Sequence, residues 1–112
     1  MKVNIGKYKK DNNSRKKVKV EFDGEDFYSL DSTLAIIILP ALKQFKDIKY
    51  KYVLDKETED GMMTDILDKM IYSFEIYAKH ENCGMYWEKS EKADKFFEGL
   101  ELFGKYYTSL WY

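Results

Sequence analysis

One cysteine, one proline and six glycines among 112 residues leave this chain short of the residues that staple or punctuate small proteins. With Cys83 alone, an intramolecular disulfide is excluded, which fits a reducing compartment. Long apolar runs are missing too. The most apolar stretch, residues 34–42, is far shorter than a membrane-spanning helix and contains Pro40. The opening MKVNIGKYKKDNN lacks the apolar centre of a signal peptide. No repeat or low-complexity segment is visible, and the expectation is one soluble intracellular domain over residues 1–112.

Catalytic signatures are absent as well. The chain has no GxGxxG, no P-loop, no GxSxG and no HExxH. His80 and Cys83, in HENC, form the only His/Cys pair, and no second His or Cys exists to complete a four-ligand zinc site. A Cys–His nucleophile pair would need an orienting third group and an oxyanion stabiliser. The pair reads as a loop histidine beside a buried thiol, with no metal and no cofactor expected. Asp23, Glu25, Asp26 and Asp31 crowd the start of the first helix, where turn and cap roles are expected. A small hydrolase using Asp26 or Asp31 is the weaker alternative.

What the chain does have is aromatic residues: ten Tyr, seven Phe and two Trp, 17% of the sequence. Aromatics bury large areas, so they can hold a firm core without disulfides. Charge is asymmetric beneath a net −1. Residues 1–19 carry eight Lys/Arg against Asp11 alone, a charge of +7, and the remainder carries −8. Such an arm serves solubility and attraction to an acidic body, or it docks phosphates or an acidic partner. The acidic body speaks against a nucleic-acid tract.

The periodicity predicts a mainly α (α+β) protein: a basic β-hairpin region over residues 1–30 and a three-helix body over residues 31–112. Val3 and Ile5, then Val18, Val20 and Phe22, alternate with polar neighbours as half-buried strands do, over residues 2–8 and 16–22. KKDNNSRKK between them reads as a turn. Asp23-Gly24 is a competing hairpin signal that could fold VKVEF onto EDFYSL and make a three-stranded meander. An isolated hairpin is marginal in water, so the ribbon is expected to pack on the helices or another subunit.

A first helix is expected over residues 32–46, with Asp31 as N-cap and a kink at Pro40. It is apolar nearly all round, which points to the centre of the fold. Residues 47–61 read as a charged connector with a short extended piece at 49–54. A second helix is expected over 62–79 and a third over 88–110. In the third, Ala93, Phe96, Leu100, Phe103, Tyr107 and Leu110 step by three and four residues. Gly99 and Gly104 interrupt it, which close-packed neighbours or a bound ligand would explain. The apolar end Leu110-Trp111-Tyr112 points to docking in the core or in a subunit contact.

For binding, the telling combination is tyrosine with lysine. Tyr8 lies in the basic arm, and Tyr28, Tyr72, Tyr106 and Tyr107 would sit near Lys43 and Lys105 if the helices pack in order. Tyr faces stack bases and cations hold phosphates, although snorkelling lysines over an ordinary core use the same residues. Lys7, Arg15, Lys16 and Lys17 are the candidates for phosphate or acidic contacts. Asp26, Tyr28, Lys43, Lys105 and Tyr106 are the candidates to line a pocket.

The segment VKVEFDGEDFYSLDSTLAIIILPALKQFK, residues 18–46, resembles a small protein family encoded by tailed bacteriophages, in the part reading EDFYSLDSTLAIIILPALKQFK. ILDKMIYSFE, residues 66–75, and EGLELFGKYYTSLWY, residues 98–112, resemble the second and third helices of that family. The chain departs from it in carrying Ser32 where relatives often have His, Tyr72 where they have Trp, and a shorter connector. The resemblance implies phage origin and expression in the host bacterial cytoplasm, and brings no activity, cofactor or site residues with it. The combined expectation is a non-enzymatic accessory protein that binds a host factor or sequesters a small phosphate-bearing, nucleotide-like ligand, in the manner of anti-defence proteins. A homo-oligomer is expected. The alternative is a self-assembling interaction module using the hairpin edge and the apolar C-terminus.

Overall fold

Strand alternation at the start of the chain gives β1 (Lys2–Ile5) and β2 (Val18–Glu21), paired antiparallel. The computed structural model describes residues 1–6, 18–48, 62–79, 85 and 89–110. The register sets Val3 opposite Val20 and Ile5 opposite Val18, with Lys2–Glu21 and Asn4–Lys19 between them. Side chains point to alternate faces, so one face of the ribbon is wholly apolar and the other wholly polar.

The Asp23-Gly24 signal does not make a second hairpin. Gly24–Phe27 forms a short 3-10 helix instead, and the sheet among the described residues has two strands. A bond within this segment explains the outcome: the Asp26 carboxylate accepts from the Asp23 backbone N–H at 2.8 Å, closing the turn on itself. The Phe22 and Phe27 rings pack across it at a tilt, with centroids 5.8 Å apart.

Helix α1 (Leu30–Lys46) begins two residues before the expected start, with Ser29 in the N-cap position. Asp31 therefore lies in the first turn, where its Oδ1 accepts the Ser32 N–H at 2.9 Å. Its carboxylate still serves the unpaired donors of the helix start. Pro40 lies inside the helix. The expected central position is corrected, because Ala35 and Leu42 are buried while Leu30, Leu34 and Ile36 stay exposed. The middle of the body is α2 (Met62–Ala78), which packs against α1 on one side and α3 (Glu91–Tyr106) on the other. Ala35, Leu42, Ile66, Leu67, Met70, Phe74 and Tyr106 form one core, and Ile76, Met85, Ala93 and Phe96 form a second beside it.

Helix α3 starts at Ser90, whose hydroxyl accepts the Ala93 N–H at 3.2 Å as an N-cap. It tightens into a 3-10 turn at Tyr107–Ser109. The expected apolar line is corrected near its end: Tyr106 is buried and Tyr107 exposed. Gly99 explains itself where α2 and α3 meet, since a Cβ there would overlap Ser73 Oγ and the Lys69 carbonyl oxygen. Ser73 uses that contact to donate to the Phe96 carbonyl at 2.6 Å, entirely buried. Gly104 faces open space. No helix among the described residues is long and apolar enough to cross a membrane.

Candidate ligand-binding groove

Because α2 and α3 touch through a glycine, their flanking side chains are left to form the walls of a groove along the contact. The α2 wall is built from Asp68, Lys69, Tyr72, Glu75, Ile76 and Lys79, a single helical face by spacing. Lys92, Lys95 and Glu98, three residues apart on α3, face it. Tyr72 lines two hollows in this groove, one of about 400 Å³ toward Asp68 and Glu98 and one of about 180 Å³ toward Lys79 and Lys92. The half-buried Tyr72 ring also packs against the core of Ile76, Ala93 and Phe96, which fixes the floor on which both hollows rest.

Ion pairing sorts the lysines. Lys69 reaches across the groove to Glu98 at 2.8 Å, and that carboxylate pushes the Lys69 ammonium above its usual pKa. On the α1 side of α2, Lys46 meets Asp68 at 2.5 Å, and this carboxylate likewise raises the Lys46 pKa. Lys43 meets Glu75 at 3.1 Å, and Lys95 meets Glu91 at 3.2 Å along its own helix. Among the described residues, Lys79 and Lys92 carry no ion pair. Both line the smaller hollow together with Glu75, which is paired to Lys43, so that hollow has a net positive lining while the larger hollow is balanced. The arrangement offers an aromatic floor beside an anion-attracting end.

The sequence-derived candidates fall elsewhere. Lys7, Arg15, Lys16 and Lys17 lie outside the described residues, as do His80 and Cys83, Trp111 and Tyr112, and the extended piece at 49–54. Asp26 is held in a turn: its carboxylate meets the Met1 amine at 2.8 Å and the Asp23 N–H, and its carbonyl accepts the Thr33 hydroxyl at 2.8 Å. The amine is the main reason the Asp26 pKa is lowered, and Asp26 in turn raises the amine. Tyr28 is 84% exposed at the same end.

Lys43 sits near the other end of α1, ~20 Å along the helix axis from Leu30 by helical rise. Asp26 and Tyr28 therefore line no common small pocket with Lys43. Tyr106 is a core residue at 6% exposure, with Lys105 Nζ 5.3 Å from its ring centroid. Among the described residues no cluster of His, Cys, Asp and Glu is placed to hold a metal.

Of the residues lining the groove, the sequence pointed only to Tyr72. The signal for the others was present in the polar flank of α2, whose spacing marks a continuous face. Which residues of α3 would oppose that face depends on the crossing at Gly99. Comparison with protein-family models, with curated proteins and with solved structures gives no match.

Proposed function

We propose that this chain is a non-enzymatic binding protein that takes a small phosphate-bearing ligand with a planar ring into the groove between α2 and α3. The observation that carries the reading is Tyr72 shared by two hollows, with Lys79 and Lys92, which carry no ion pair among the described residues, at one end. The ring lies against Tyr72 in the larger hollow, and the phosphate sits between the two ammonium groups in the smaller one. Base stacking on an aromatic side chain contributes about 1–3 kcal/mol, and charge-assisted contacts to phosphate add to it. The larger hollow is within the size range of small-molecule sites. The resemblance to a tailed-phage family supports setting this binding in an infected bacterium's cytoplasm, where withdrawing a nucleotide-like signal would blunt a host defence.

Titration calorimetry with nucleoside monophosphates, the matching nucleosides and inorganic phosphate tests the reading. A monophosphate is expected to bind at least tenfold more tightly than either of its parts. Lys79→Ala with Lys92→Ala should weaken it about tenfold or more, while Lys79→Arg with Lys92→Arg retains it. No heat with any member of the panel at millimolar concentration would reject the ligand.

A second reading has its own observation. Leu30 and Leu34, one turn apart on α1, stay 39% and 40% exposed, and Ile36, nearly across the helix from Leu34, is 48% exposed, with no charged residue from Ser32 to Leu42. The Leu30–Leu34 side suits a host protein's apolar surface. Substituting Leu30 and Leu34 with Asp separates the readings, since it abolishes protein capture and leaves calorimetry unchanged.

A further inference from the structure

The ribbon of β1 and β2 poses a problem of its own that the groove does not touch. All eight of its residues are exposed, and its apolar face, Val3, Ile5, Val18 and Val20, is 40–62% exposed. Two-stranded ribbons are marginal in water, and a third strand or a cover is needed for independent stability. Among the described residues no helix packs on this one. The outer edge of β2 is also open, for the sheet there has two strands in the order β1-β2.

We propose that the β2 edge pairs with β2 of a second copy of this chain, antiparallel about Val20. The sequence of β2 selects that partner and that register. A two-fold centred on Val20 sets Val20 opposite its own copy and Lys19 opposite the copy's Glu21, twice over, and brings Val18 to the copy's Phe22, the residue that follows β2. Apolar residues then share one face and every charge meets its opposite. Centring on Lys19 or on Glu21 instead sets like charges directly opposite each other. A centre between two residues brings apolar side chains opposite charged ones, because a one-residue slip exchanges the faces.

Lys19 and Glu21 already attract each other within the strand at 3.4 Å, and each is 58% exposed, so both are accessible to a facing strand. The β1 edge offers no such complementarity, since Lys2, Val3, Asn4 and Ile5 include no acid. Pairing through β2 makes a four-stranded sheet in the order β1-β2-β2-β1 with the two apolar faces continuous. An isologous contact of this kind closes on itself as a dimer.

Light scattering on the full chain, with charge-reversed variants, decides the matter. The wild type is expected at twice the 13.4 kDa chain mass. Lys19→Glu alone and Glu21→Lys alone each set like charges opposite, and each should raise the dimer dissociation constant at least tenfold. An equimolar mixture of the two variants restores every pair across the interface and should recover the dimer, as should the double reversal in one chain. A loss of strand stability confined to each chain would not be repaired by mixing. In a Cys83→Ser background, Val20→Cys should cross-link to itself under mild oxidation. A monomeric wild type, a dimer indifferent to both reversals, or a mixture that stays monomeric would overturn the proposal.

Discussion

Replacing Gly99 with alanine puts the packing of α2 on α3 under direct strain. In an exposed helix interior the change would stabilise by roughly 1 kcal/mol, because alanine has less conformational freedom to lose. Here the new methyl meets Ser73 Oγ and the Lys69 carbonyl oxygen, and Ser73 Cβ lies 2.9 Å away. The carbonyl belongs to a helix backbone and cannot rotate aside. Overpacking of this kind costs about 1–3 kcal/mol. Displacing Ser73 also breaks its buried 2.6 Å bond to the Phe96 carbonyl, and an orphaned buried polar group costs about 1–3 kcal/mol more.

Set against the propensity gain, the net loss is about 3 kcal/mol, or a fall in Tm of roughly 10–15 °C at this chain length. Gly104→Ala is the internal control. It lies in the same helix with no atom within 4 Å of the new methyl, so it should raise Tm by up to ~4 °C. Ser73→Ala added to Gly99→Ala should recover only part of the loss, since the Lys69 carbonyl remains in place; the two sites share a contact and are not additive. Thermal unfolding followed by circular dichroism reads all four chains. An unchanged or raised Tm for Gly99→Ala would refute the close approach of the two helices, and with it the walls of the groove.

Two further outcomes follow from single contacts. Ser90→Ala removes the N-cap bond of α3 and should cost about 1 kcal/mol, about 4 °C in Tm, with Ser90→Asp close to the wild type; equal Tm values for all three would remove the cap. Asp26→Asn should speed hydrogen exchange at Val3 and Ile5 while leaving the helices unchanged, because Asp26 ties the Met1 amine to the turn before α1. The pH dependence has a definite sign. Asp26 titrates below its ordinary 3.8, so its contribution is whole above that value and is lost as pH falls through the lowered pKa. The Met1 amine titrates above its ordinary 8.0, so its contribution is whole below that value and is lost as pH rises through the raised one. Protection of β1 should therefore be level between these limits and fall on both sides; a flat profile in acid would rule out the pair.

The three helices and the ribbon were legible because their signals are local: alternation at Val3 and Ile5, a helical stripe through Ile66, Met70 and Phe74, and steps of three and four through Ala93 and Phe96. Where a choice depended on tertiary context, the sequence misled. Apolar residues all round α1 suggested a central helix, yet α2 takes that place and Leu34 and Ile36 face outward. Asp23-Gly24 has hairpin chemistry, but the Asp26 carboxylate turns it into a 3-10 segment. The steps of three and four put Tyr107 on the core line, yet at the turn that ends α3 Tyr106 is buried and Tyr107 exposed. The groove was the least legible feature. Lys79 and Lys92 are ordinary surface lysines until the helix crossing sets them around one hollow with Tyr72.

Mapping backbone amide shifts of the labelled chain during titration with a nucleoside monophosphate tests the recognition claim most directly. The largest shifts should fall on Tyr72, Ile76, Lys79 and Lys92, saturating together and fading in the Lys79→Ala, Lys92→Ala chain. Shifts confined to other surfaces, or none at saturating ligand, would contradict it.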